Sequence, residues 1–300
     1  MCQRLSHQSV LKLKKENLTN NTTNKISNNK HTTKMEENTT TKQTIYNLII
    51  LDESGSMSGI THQTITGCNE TIDTIKAAAE KFSETQEHFV SIFAFQCKGY
   101  RKSRYILKNV PAKDVKHITN EDYEPSGCTP LNDAVGSTLT DLEATVKDYK
   151  NELASVTIIT DGYENASQIY SLEQVRALIK SLKEMGWNFN FIGANIDAQA
   201  TARSYNIDNH LQFEQSAEGT KAMFRRESSG KFRYLDKLDH GFRKFGGKPI
   251  IPRELIEMCI DAGKDYYTPD NEDAKKLAEL EKEMEKLQKE MEKLKNKENK

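Results

Sequence analysis

The chain has 300 residues, room for one large domain or two small ones, and its 36% hydrophobic content is below the roughly 45–50% of globular chains. Part of it therefore cannot bury a core. With 43 basic and 44 acidic residues the net charge is -1, which excludes whole-molecule attraction to nucleic acid or to a membrane surface. No apolar run approaches the ~18–20 residues of a transmembrane helix. Leu5, Val10, Leu11 and Leu13 are too scattered for a secretory leader, so a cytoplasmic location is expected. Five cysteines (Cys2, Cys68, Cys97, Cys128, Cys259) form an odd set without C-x-x-C spacing. They argue against a disulfide framework or a thiolate zinc site and favour a reducing compartment.

Residues 1–43 are crowded with Asn, Thr and Lys, and such a segment buries too little apolar surface to offset its ordering entropy. Disorder is expected there, and Met35 is a plausible translation start. Ile45 to Leu51 is a short apolar run of strand length, followed by the turn Asp52-Glu53-Ser54-Gly55-Ser56, which is expected to face solvent. Ile65, Cys68, Ile72, Ile75, Ala79 and Phe82 recur every three or four residues, one face of a helix. Phe89 to Phe95 and Tyr105 to Val110 read as strands, and Leu131 to Tyr149 as a second helix. A strand at Val156–Thr160 ends in Asp161-Gly162. Leu172 to Leu182 is a helix, Trp187 to Ala194 a strand, and His210 to Phe213 an edge strand.

Strands alternating with helices predict a doubly wound, mostly parallel α/β sheet with helices on both faces over residues 44–216. Residues 217–270 form a basic, aromatic extension in which Pro252 opens a short helix through Cys259. In residues 271–300, Leu277, Leu280, Met284, Leu287, Met291 and Leu294 follow the a/d spacing of a coiled coil. Self-association through this seam is expected; a lone helix packed back on the body is the alternative.

Ligands of doubly wound sheets sit beyond the carboxyl ends of the strands. Two acid-bearing turns belong there, Asp52 to Ser56 and Asp161-Gly162, with Ser126 to Leu131 as a third loop. Carboxylates and hydroxyls are hard oxygen donors, suited to Mg²⁺ or Mn²⁺. Asp52, Ser54 and Ser56 in a D-x-S-x-S turn, Thr129 in a later loop and Asp161 after a further strand resemble the von Willebrand factor A domain and its metal-ion-dependent adhesion site. The resemblance covers roughly residues 44–215. It implies a Rossmann-like fold and Mg²⁺ or Mn²⁺ held through the hydroxyls of Ser54, Ser56 and Thr129. Asp52 and Asp161 would act largely through bound water, and a partner protein would supply an Asp or Glu carboxylate. It further implies a stand-alone, intracellular, bacterial-type adaptor. Cys128, where many members carry a small residue, is expected to be buried, and Glu53 and Glu164 to face solvent.

An enzyme is not expected. Neither a phosphate-binding G-x-x-x-x-G-K-[ST] nor a dinucleotide G-x-G-x-x-G occurs, and Met57 stands where a G-x-S-x-G elbow needs its nucleophile. The competing function is nucleic-acid binding. Basic residues between Lys221 and Arg253 are interleaved with Phe224, Phe232, Tyr234, Phe242 and Phe245, a combination that can stack on single-stranded bases.

Overall fold

In the computed structural model the described residues are 42–98, 102–149, 151–245 and 252–268. The disorder expected for the N-terminal segment through residue 41, the Met35 start and the 271–300 coiled coil lie outside them. Six strands form one sheet: β1 (Gln43–Asp52), β2 (Gln86–Phe95), β3 (Arg104–Pro111), β4 (Glu152–Thr160), β5 (Asn188–Ala194) and β6 (Asn209–Phe213). Their order is β3-β2-β1-β4-β5-β6, parallel except for β3, which runs antiparallel to β2. The winding reverses between β1 and β4, which makes the carboxyl ends of these two strands the topological switch point.

Alternation along β1 sends its side chains to two separate cores. Ile45, Ile49 and Leu51 face helices α1 (Thr61–Lys81) and α5 (Ala217–Phe245). Leu48 and Ile50 face α2 (Leu131–Thr145), α3 (Leu172–Lys183) and α4 (Ala198–Ser204). Helix α6 (Pro252–Gly263) joins the first core through Leu255, Cys259 and Ala262. Both sheet faces are thus covered, as the α/β pattern predicts. Helix α2 ends four residues before Tyr149, because Val146 turns to extended backbone. Strand β2 begins at Gln86, ahead of its first apolar residue, because Gln86 and His88 are buried polar residues with internal partners.

The basic, aromatic segment is the larger departure. Residues 217–245 make one 29-residue helix. Its Met223, Phe224, Tyr234, Leu235, Leu238 and Phe242 complete the core over α1. The two helices approach closely where Phe224 lies over Gly67; a Cβ at Gly67 would sit 2.0 Å from the Phe224 ring. Lys231 is buried too, donating to Ser155 Oγ (3.0 Å) and Thr157 Oγ1 (3.2 Å) and facing Glu227 at 3.5 Å. Glu227 in turn accepts from Thr157 (2.8 Å), Tyr266 (3.2 Å) and Tyr267 (2.8 Å). Phe224, Tyr234 and Phe242 are interior, and Phe232 packs on the same core. Four of the five aromatic residues singled out for stacking are thus taken up by packing, and the nucleic-acid reading loses that part of its support.

Candidate metal centre

Strand β1 delivers Asp52 at its last position, where the chain leaves the sheet. Asp52 Oδ1 accepts from the Ser54 amide (2.7 Å), and Oδ2 accepts from Thr160 Oγ1 (2.6 Å) at the end of β4. Ser54 Oγ lies 3.0 Å from Ser56 Oγ, and Ser56 Oγ donates to Asp161 Oδ1 (2.7 Å). A Cβ on Gly162 would be 3.3 Å from Thr129 Oγ1 and 3.9 Å from Ser56 Oγ, so both hydroxyls face the space that glycine leaves open. The five residues singled out in sequence therefore stand together at the switch point.

The loops that carry them are cross-linked. The Gly55 amide donates to Gly127 O (3.1 Å), and Tyr123 OH donates to Asp52 O (2.7 Å). Thr129 exchanges bonds with Asn165, its amide donating to Asn165 Oδ1 (2.9 Å) and its carbonyl accepting from Asn165 N (3.2 Å). Glu53 does not face solvent. It is fully buried, held by both arms of Arg104 (2.5 and 3.1 Å), and it accepts from Gln96 (3.0 Å) and the Glu124 amide (2.7 Å). Glu164 likewise turns inward, onto the amides of Asn132, Ala166 and Ser167.

Two expectations about exposure and cysteine chemistry are corrected. Asp52, Ser54, Thr129 and Asp161 are buried, and of the five only Ser56 is exposed. The turn leaves the sheet inside a collar of neighbouring loops, so its first three side chains, Asp52, Glu53 and Ser54, are buried. Cys97 and Cys128 form a disulfide across 31 residues of sequence, joining the end of β2 to the residue before Thr129. Cys128 is therefore half-buried and bonded rather than a small buried thiol. The pairing also removes the cysteine argument for a reducing compartment, because disulfides persist in oxidising surroundings.

The electrostatics of the cluster are unbalanced. Burial pushes the Asp52 carboxyl up to about 6, against the opposing pull of its bonds from Thr160 and Ser54. Burial also raises Asp161, opposed by bonds from Ser56 and Gln215. Among the described residues neither carboxylate makes an ion pair. Two buried acids and three hydroxyls without a basic partner form a donor set that fits a small, hard dication. No group of three or more His, Cys, Asp and Glu is gathered among the described residues, so an ion here would depend on the hydroxyls.

Gln215, after β6, escapes sequence reasoning altogether. Its Nε2 donates to Asp161 Oδ2 (2.6 Å) and to Ser56 O (2.7 Å), while its Oε1 accepts from Asn195. A lone glutamine after an edge strand has no diagnostic spacing. A cavity of about 770 Å³ opens at the other end of the sheet, by Trp187, Ile260 and Tyr266, and none of the five residues lines it.

The fold thus sets this chain among doubly wound α/β modules with an acid-lined polar crest at the switch point. No family model and no curated protein matches the sequence. Among solved structures it is similar to the pilus adhesin SpaC from Lactobacillus rhamnosus GG, at 13% identity over 65% of this chain and 30% of that one (TM-score 0.48). It is also similar to a von Willebrand factor type A protein from Catenulispora acidiphila, at 14% identity over 64% and 43% of the two chains (TM-score 0.47). A third likeness is to the manganese-loaded TRAP protein of Plasmodium vivax, at 15% identity over 61% and 72% (TM-score 0.40). The chain spans less than half the length of the first two. These likenesses concern the fold alone. Among the described residues no helix is long and apolar enough to cross a membrane.

Proposed function

We propose that the chain is a von Willebrand A-type module that holds Mg²⁺ or Mn²⁺ at Asp52, Ser54, Ser56, Thr129 and Asp161. Through that ion it would grip an Asp or Glu carboxylate of a partner protein. The observation that carries this reading is the pair of buried carboxylates, Asp52 and Asp161, gathered with three hydroxyls and without an ion-pair partner among the described residues. Ionised acids removed from water are costly unless a positive charge compensates them. A bound dication would supply that charge together with a Lewis-acidic position for an outside oxygen. Within the chain, Thr160 and the Ser54 amide orient Asp52, and Gln215 orients Asp161. Such supporting bonds fix ligand direction and basicity. The role is binding rather than catalysis, that of an adaptor. The heptad-patterned segment 277–294, outside the described residues, would pair copies and raise avidity.

Titration calorimetry with Mg²⁺ and Mn²⁺ tests the site. Wild type should bind, and Asp52→Asn should not; equal affinity in the two proteins would reject the assignment. A partner captured in Mg²⁺ should be released by EDTA and should not be retained by Thr129→Ala.

A further inference from the structure

The Cys97–Cys128 disulfide lies in the open. Cys97 is exposed and Cys128 half-buried, so the bond between them is reached from solvent. Lys98, next along the chain, is exposed as well, and a cation beside a disulfide favours an incoming thiolate. The other two described cysteines are the opposite. Cys68 in α1 and Cys259 in α6 are free and buried, and burial pushes both thiols up to about 12. Neither is a thiolate at neutral pH, so neither attacks the bond and reshuffles it.

What the bond holds is a loop of the metal centre without regular structure. Asp52 ends β1 and Asp161 follows β4, whereas Thr129 stands in a stretch, residues 123–130, that contains no helix or strand. Its ties to the neighbouring loops are hydrogen bonds. The Ser126 amide donates to Glu53 O (2.8 Å), the Gly55 amide to Gly127 O (3.1 Å), and Thr129 pairs with Asn165. Gly127, at a φ of 74°, brings the stretch against the end of β2, where a Cβ on it would sit 2.8 Å from Lys98 Cβ. The disulfide is the covalent member of this set, and it joins the residue directly before Thr129.

We infer that the Cys97–Cys128 bond is a thiol-exchange site, and that opening it loosens Thr129 and lowers the affinity for the dication. This rests on the metal reading above and adds a means of regulating it. The co-reactant is a small thiol of the glutathione kind, two molecules for each opening. The first attacks Cys97 Sγ as its thiolate. The bond to Cys128 breaks, a mixed disulfide forms on Cys97, and Cys128 leaves as a thiolate that takes up a proton. The second thiolate attacks the sulfur of the first, and Cys97 leaves in turn and is protonated. Two electrons and two protons have then passed to the protein, and the two small thiols have become a disulfide. The reverse sequence closes the bond, with the Cys128 amide, which donates to Cys97 Sγ (2.9 Å), offering that sulfur a donor beside its partner. Exposed disulfides exchange with such thiols, whereas structural ones resist them.

The test uses the full chain carrying Cys2→Ser, which leaves the four described cysteines. The folded protein is equilibrated in about 10 mM reduced glutathione, alkylated, and mapped by mass spectrometry, with Mg²⁺ calorimetry in parallel. Cys97 and Cys128 should be labelled, and Cys68 and Cys259 should not. The opened chain should bind Mg²⁺ about five-fold more weakly than the oxidised one, and oxidised glutathione should restore the affinity. Cys97→Ser/Cys128→Ser should show the lower affinity in either buffer. A bond that stays closed, or one that opens with no change in Mg²⁺ affinity, would overturn the inference and leave the metal reading standing. Labelling of Cys68 and Cys259 together with the pair would do the same, since it marks unfolding rather than exchange. Absence of Mg²⁺ heat from the oxidised chain would overturn both.

Discussion

Two buried acid clusters in this protein are treated in opposite ways. Under α5, Glu227 lies against Lys231, and both its oxygens accept further bonds from Thr157, Tyr266 and Tyr267. Beside the switch point, Asp52 and Asp161 have hydroxyl and amide donors but no positive partner among the described residues. Glu53, one residue from Asp52, belongs with the first kind, since Arg104 neutralises it. Charge closed within the chain binds elements to one another. Charge left open is available to something outside.

The contrast is sharpest when one charge is removed from each cluster. Lys231→Met leaves Glu227 buried and uncompensated, a defect worth about 3–5 kcal/mol, and denaturant unfolding should show most of that loss. Asp52→Asn should do the reverse. Its folded pKa is raised, so above about pH 6 the ionised carboxylate opposes folding, and the neutral amide relieves this. The metal-free variant should melt no lower than wild type at pH 7.5. If both variants lost equal stability, the distinction between closed and open charge would collapse.

Severing the Cys97–Cys128 link comes next in size. A tie across 31 residues restrains the unfolded chain by about 2–4 kcal/mol. It also anchors the residue before Thr129, so Cys97→Ser/Cys128→Ser should lower both the melting temperature and the Mg²⁺ affinity, whereas the Glu227 cluster should be untouched. A variant that lost stability but kept full Mg²⁺ affinity would show that the loop needs no covalent tether.

The smallest expected effect is on pH. A proton and a dication compete for Asp52, and the carboxyl titrates near 6. Added Mg²⁺ should therefore raise the melting temperature more at pH 7.5 than at pH 5. An equal rise at both would mean that Asp52 does not face the ion.

How much of this was legible in sequence depended on whether burial coincided with hydrophobicity. Strand β1 and helix α1 were readable because their buried positions are apolar and periodic. The loop sequence Asp52 to Ser56 was readable because its residue types name their chemistry. Helix α5 was not, because its buried stripe includes Glu227, Gly230, Lys231 and Asp239, which break the apolar period. The Cys97–Cys128 pairing joins residues brought together only by the sheet, and Gln215 reaches Asp161 from 54 residues away. Contacts of this range follow from topology, and no local pattern announces them.

Helix α5 bears on how this molecule could be divided. A cut after residue 216 would keep every strand and all five candidate ligands, and by motif it would look like a complete module. It would also strip the cover from Ile72 and Ile75, bare the Gly67 groove where Phe224 sits, and leave Ser155 and Thr157 facing a missing lysine. Such a fragment should come out of cells as aggregate rather than as a smaller working protein. The unit that must be inherited, transplanted or expressed whole runs at least through Tyr267, well past the point where its recognisable motifs end.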